Sequence, residues 1–215
     1  MDVDAVEQWA GDLGDIALFL LLFLLPLTAA TCIAQESRQD VSVSESAIMA
    51  PFVSGNGVDL HSTVGIYGIL GSYRYDLTPH GAMELNYQYN QNLQHYLFPA
   101  GNYVIHDRFQ EVSGAYVYTF NYRNFNPFIE AGIAAVMFSP IADAETQTYQ
   151  ISRQTEIGGL YGAGIAYEIS PSFDIRAEYR GIIVKTPTFN YPGGQLNTDV
   201  YYNIYDPVIG IAYHF

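Results

Sequence analysis

The sequence predicts an all-β protein, an eight-stranded antiparallel up-and-down barrel preceded by a leader segment. Three observations carry that reading. From Val41 onward the apolar residues recur with period two and not 3.6, which is the spacing of a strand whose successive side chains point to opposite faces. Clusters of Pro, Gly, Asn and Asp interrupt the alternation at strand-length intervals, as turns do. The connections are alternately short and long, as in a closed meander with all its tight turns at one end.

The first element is not a strand. Residues 16–33 (IALFLLLFLLPLTAATCI) form the one long apolar run. They read as the core of a signal peptide spanning 1–34, with Cys32 and Ala34 at the −3 and −1 positions of a cut before Gln35. A cut after Ala30 fits about as well. The stretch ahead of the run is atypical, since it holds Asp2, Asp4, Glu7, Asp12 and Asp15 and no Lys or Arg where a signal ordinarily carries positive charge. A retained helical anchor and a lipid anchor on Cys32 are the alternatives; in either case 35–215 is one further domain.

The strands follow in order. Residues 41–53 (VSVSESAIMAPFV) alternate weakly. In 63–77, Tyr67, Ile69, Tyr73 and Tyr75 lie opposite Gly68, Ser72 and Arg74. Residues 83–90 are the clearest, with Met83, Leu85, Tyr87 and Tyr89 on one face and Glu84, Asn86, Gln88 and Asn90 on the other. In 108–120, Val112, Tyr116, Tyr118 and Phe120 oppose Glu111, Ser113 and Thr119; in 127–138, Ile129, Ile133 and Met137 oppose Glu130, Gly132 and Ala134. Residues 155–169 set Ile157, Tyr161, Ile165, Tyr167 and Ile169 against Glu156, Gly158, Gly162, Gly164, Ala166 and Glu168. Residues 173–185 set Phe173, Ile175, Ala177, Tyr179 and Ile183 against Asp174, Arg176, Glu178 and Arg180. The last strand, 200–215, sets Tyr201, Tyr205, Ile209, Ile211, Tyr213 and Phe215 against Asp206, Gly210, Ala212 and His214. Short turns fall at 78–81, 121–126 and 170–172, and longer polar connections at 54–62, 91–105, 139–153 and 186–198, which places both ends of the barrel on the short-turn side.

Composition narrows the class. Hydrophobic residues make up 49% of the chain and charged residues only 14%, against about 25% charged in an ordinary soluble domain, so the chain is not disordered. A net charge of −14 leaves no basic patch for nucleic acid, and one Cys excludes a disulfide scaffold or a Cys-based zinc site. Which face points inward then decides the environment. The polar faces are rich in Gly, Ala and Ser with interspersed Glu and Arg, and Lys185 is the only Lys; such faces suit a narrow lumen better than water. Tyr recurs near strand ends, at 73, 75, 87, 89, 118, 167, 201 and 213, where membrane barrels carry aromatic girdles. The apolar faces therefore belong against lipid, and the predicted fold is a transmembrane β-barrel. A lumen holding Arg74, Arg176 and Arg180 together with Glu84, Glu111, Glu130, Glu156, Glu168, Asp174 and Glu178 is expected to form an ion-pair network, because an unpaired ion in a poorly solvated interior costs several kcal/mol.

The C-terminus, with Phe215 last and Tyr213, Ile211 and Ile209 before it on one face, resembles the assembly signal of bacterial outer-membrane β-barrels. The body resembles small barrels of the OmpA transmembrane-domain type in the stretches SGNGV (54–58), GSYRYDL (71–77), AYVYTF (115–120), FIEAGIAAVMF (128–138) and RAEYRG (176–181). The resemblance spans about 41–215. It implies an integral outer-membrane protein, surrounded by outer-membrane lipids and inserted by the barrel-insertion machinery. No periplasmic peptidoglycan-binding domain follows the barrel in this sequence, so tethering to the cell wall is not carried over.

An enzyme is not expected. The His residues are His61, His80, His95, His106 and His214, of which only the adjacent His106 and Asp107 suggest a pair, and no Gly-x-Ser-x-Gly elbow, HExxH or EF-hand pattern occurs. No cofactor or metal is implied. The long connections mix aromatic and amide side chains: Asn92, Gln94, Tyr96, Phe98 and Tyr103; Gln147, Tyr149 and Gln150; Phe189, Tyr191 and Gln195. Such loops suit an extracellular ligand. The expected function is a non-enzymatic, monomeric barrel with a structural or adhesion-type surface role. The alternatives are a narrow channel, a lipid-modifying surface enzyme and a soluble ligand-binding barrel.

Overall fold

The computed structural model describes residues 38–98, 101–141, 152–189 and 196–215. The leader expected over 1–34 lies outside them. Ten strands form one antiparallel sheet, and two of these make a small hairpin, leaving eight in the barrel wall. The wall strands are β1 (Gln39–Ile48), β4 (Gly65–Asp76), β5 (Gly81–Phe98), β6 (Gly101–Thr119), β7 (Phe125–Ile141), β8 (Gln154–Ser170), β9 (Phe173–Lys185) and β10 (Tyr201–His214). Each pairs with its neighbour in sequence, and β1 pairs with both β4 and β10. Closure leaves the wall without a free edge. Asp40 stands opposite both His214 and Arg74, so the first and last wall strands meet at the short-turn end.

The two faces are distributed as for a protein in lipid. Ile157 is 74% exposed, Ile133 70% and Ile211 57%, whereas Arg180 and Glu111 are 0% exposed. Burial of charge beneath exposed Ile is the inverse of a water-soluble barrel and removes the soluble reading. Inward positions stay small where the wall is crowded: a Cβ on Gly162 would lie 2.6 Å from a Glu130 carboxylate oxygen. Outward, Gly181 lies under the Tyr161 ring, which a Cβ there would meet at 2.3 Å.

Two connections differ from expectation, and one strand pair is irregular. The strand predicted over 41–53 ends at Ile48, and Val53 begins a separate hairpin of β2 (Val53–Gly55) and β3 (Val58–Ser62). Its turn is Asn56-Gly57 with φ of 50° and 75°, the paired positive values of the tightest hairpin turns. The connection predicted over 91–105 is instead strand: β5 runs to Phe98 and β6 starts at Gly101. The alternation continues there, but above the apolar band both faces carry mixed residues, so the period is hard to read. β3 then pairs with the far end of β5, with Leu60 opposite Tyr96 and His61 opposite His95. The irregularity is a bulge in the β1–β4 pair. The β1–β4 register shifts between Ser46 and Ile48, where Tyr67 adopts a φ of 72°, and such a bulge increases the local twist.

Candidate functional site: the lumen

The barrel interior divides into two halves with different chemistry. The half toward the short turns is charged. Its centre is Arg180, which β9 directs inward halfway along the barrel. Its guanidinium nitrogens lie 2.7 Å from Glu111, 3.3 Å from Asp206, 3.5 Å from Glu130 and 3.9 Å from Glu178. It also donates to the Ser113 hydroxyl at 3.3 Å and the Gln88 amide oxygen at 3.5 Å. Strands β5, β6, β7, β9 and β10 all supply a partner, so this one side chain ties opposite walls together.

Nearer the turns, Arg74 donates to Glu84 through Nε at 2.7 Å and lies 4.9 Å above the Phe128 ring. Arg176 pairs with Asp40 at 2.9 Å, and the His214 ring lies 2.8 Å from Asp174. Of the residues expected in a lumen network, Arg74, Glu84, Glu111, Glu130, Asp174, Arg176, Glu178 and Arg180 stand in these pairs. Glu156 and Glu168 do not: they lie toward opposite ends of β8, partly exposed, and among the described residues neither makes an ion pair. Alternation alone assigns a residue to a face; its height along the strand decides whether it meets a partner or water. Asp40, Asp206 and His214 were missing from the expected set. Asp206 and His214 stand on the inward face of the last strand and were legible there, whereas Asp40 precedes the predicted start of the first strand by one residue.

The carboxyl groups of Asp40, Glu84, Glu111, Glu130, Asp174, Glu178 and Asp206 are thus gathered around only three guanidinium groups and one imidazole. Arg180 alone faces four of the seven. The arrangement binds the walls to one another and fills the lumen with side chains.

The half toward the long connections is mainly apolar, with the buried Gln94 amide donating to Asp107 at 3.1 Å as a polar exception. Ile48, Phe109, Val136, Phe138, Leu160, Ile182, Val184 and Ile204 form one buried cluster, with the Phe109 and Phe138 rings edge-on at 5.9 Å. Part of the β9–β10 connection folds into it. Phe189 and Leu196 are buried in the cluster, and the Tyr96 hydroxyl donates to the Pro187 carbonyl at 2.8 Å. The Gln154 side-chain oxygen accepts the backbone N–H groups of Thr188 and Phe189, both at 2.8 Å. Its described residues Pro187, Thr188, Phe189 and Leu196 are thus held at the long-connection end of the interior.

These positions correct the picture of aromatic and amide loops. Gln94, Tyr96 and Phe189 point inward and are buried. Gln147, Tyr149, Gln150, Tyr191 and Gln195 lie outside the described residues. The suggested pair of His106 and Asp107 is also separated, because the two are consecutive on β6: Asp107 is buried inward and His106 faces out.

A closed antiparallel wall with Ile and Tyr against lipid and ion pairs inside defines a membrane β-barrel of the outer-membrane class. The chain belongs to the outer membrane protein beta-barrel domain family, whose model matches residues 17–215, and it is an integral protein of the bacterial outer membrane. The crystal structure of neisserial surface protein A is similar at 17% identity and a TM-score of 0.59, over 83% of this chain and 98% of that one. The outer membrane protein OprG of Pseudomonas aeruginosa is similar at 10% identity and a TM-score of 0.62, over 84% and 97%. The outer membrane protein AlkL, solved in lipid bilayers, is similar at 12% identity and a TM-score of 0.53, over 86% and 94%. At these identities the likeness is one of fold. No curated protein sequence matches this chain.

Proposed function

We propose that the protein is a non-enzymatic, non-conducting barrel that anchors a surface-interacting sheet in the outer membrane. The observation that carries this reading is strand length. β5 and β6 run for 18 and 19 residues, whereas a tilted crossing of the membrane needs about 9–11. Their far ends, joined by β3, therefore extend past the bilayer as an ordered sheet on the long-connection side, which in such barrels is the cell exterior. Two observations support the absence of conduction: the charged belt around Arg180 and the buried apolar cluster that includes Phe189 and Leu196. Replacing residues 92–105 with a short turn should remove binding of the folded protein to host-matrix or glycan arrays while the barrel remains resistant to detergent. Stepwise conductance in planar bilayers would replace this reading with that of a narrow channel.

The same reading assigns residues 1–34 to export and Ile209, Ile211, Tyr213 and Phe215 to recognition by the insertion machinery. The first three residues of that signal lie on the outer face of β10, where an assembling barrel still exposes them. Deleting Phe215 should lower the amount of heat-modifiable barrel in the outer-membrane fraction; an unchanged yield would refute the assignment.

A further inference from the structure

The protruding sheet brings together two residues that are distant in sequence. His61 on β3 stands directly opposite His95 on β5. Their neighbours Leu60 and Tyr96 are buried on the inner side, so both imidazoles lie on the outer side, where His61 is exposed and His95 half-buried. Directly opposed residues of an antiparallel pair hold their Cβ atoms about 4.5–5.5 Å apart. At that separation, two imidazoles can turn toward one ion at the roughly 2.0–2.1 Å bond length of zinc to histidine. The Phe52 ring lies 4.3 Å from the His61 ring, tilted by 49°. Neither imidazole forms a hydrogen bond or ion pair among the described residues. Asp59 stands on the same face of β3, two residue pairs along from His61 and diagonal to His95.

We propose that His61 and His95 form a binding site for a divalent transition-metal ion of the zinc, nickel or copper class on the outer face of this sheet. Imidazole suits these ions, whereas the hard ions magnesium and calcium favour oxygen ligands. No trio of ligating side chains already converges among the described residues. The site is therefore open and exchangeable, with water completing the coordination. It does not contribute to the barrel's stability. A metal held at this place would join β3 to β5 and stiffen the sheet above the membrane.

The test is a titration of the full-length protein, folded in detergent micelles, with zinc chloride and separately with nickel chloride, read by calorimetry. The wild type is expected to bind one equivalent. His61→Ala and His95→Ala should each lose that binding, while His80→Ala, exposed at the short-turn end of the barrel, should keep it. All variants should retain the heat-dependent gel shift, because the substituted side chains lie outside the barrel. Absence of saturable binding by the wild type, or binding that survives in the His61→Ala, His95→Ala double variant, overturns the proposal.

Discussion

The two halves of the lumen are closed by opposite means. Toward the turns, Arg74, Arg176 and Arg180 hold an excess of carboxyl groups; toward the long connections, Phe109, Phe138, Leu160 and Ile182 pack as an ordinary core. The charged half is specific but brittle, because each buried ion depends on a partner with fixed geometry. The apolar half degrades gradually, because packing is shared among many weak contacts. Mutations should therefore separate the halves.

The largest effect is expected from Arg180→Ala. It leaves four carboxyl groups without their shared cation, and breaking a buried ion pair costs about 3–5 kcal/mol. The folded band in unheated detergent gels should become unstable at temperatures the wild type survives. A wild-type melting profile would show that Arg180 is a filler and not a tie. Next is Leu160→Ala in the apolar half, with an expected cost of about 2 kcal/mol, the low end for a buried Leu. Urea unfolding in micelles would measure it, and a cost above that of Arg180→Ala would reverse the comparison. Ile182→Val should cost about 1 kcal/mol, visible as a small shift in the same urea midpoint; no shift at all would mean that the apolar half is loosely packed. The smallest effect belongs to Lys185→Ala. Its pair with Asp199 at 2.6 Å is largely in solvent, and such pairs contribute little. Thermal unfolding should not change measurably, and a clear loss would place that end of β9 in a less solvated setting.

Much of the fold was legible because a lipid-facing wall imposes the strictest period-two pattern a sequence can carry. Strands β7, β8 and β9 fall within a few residues of their expected bounds, and the turns at 78–81, 121–126 and 170–172 lie where Pro, Gly, Asn and Ser cluster. Legibility failed where that constraint ends. Toward the long-connection end both faces of β5 and β6 carry mixed residues, so the alternation of Gln94 and Tyr96 with His95 and Leu97 looked like loop composition. The lumen set was read by face, which included Glu156 and Glu168, inward residues that join no ion pair among the described residues, and omitted Asp40, Asp206 and His214.

The sequence by itself determined the barrel class, the inside and outside of each strand, and the excess of acids over bases that the lumen must hold. These are local properties: alternation, turn chemistry and composition. Only the tertiary structure decided which acids meet Arg180, that Phe189 and Leu196 pack into the interior cluster, and that His61 faces His95. Those facts depend on register and on closure of β5 against β6. Register relates residues tens of positions apart through backbone pairing, which leaves no fixed spacing in the chain.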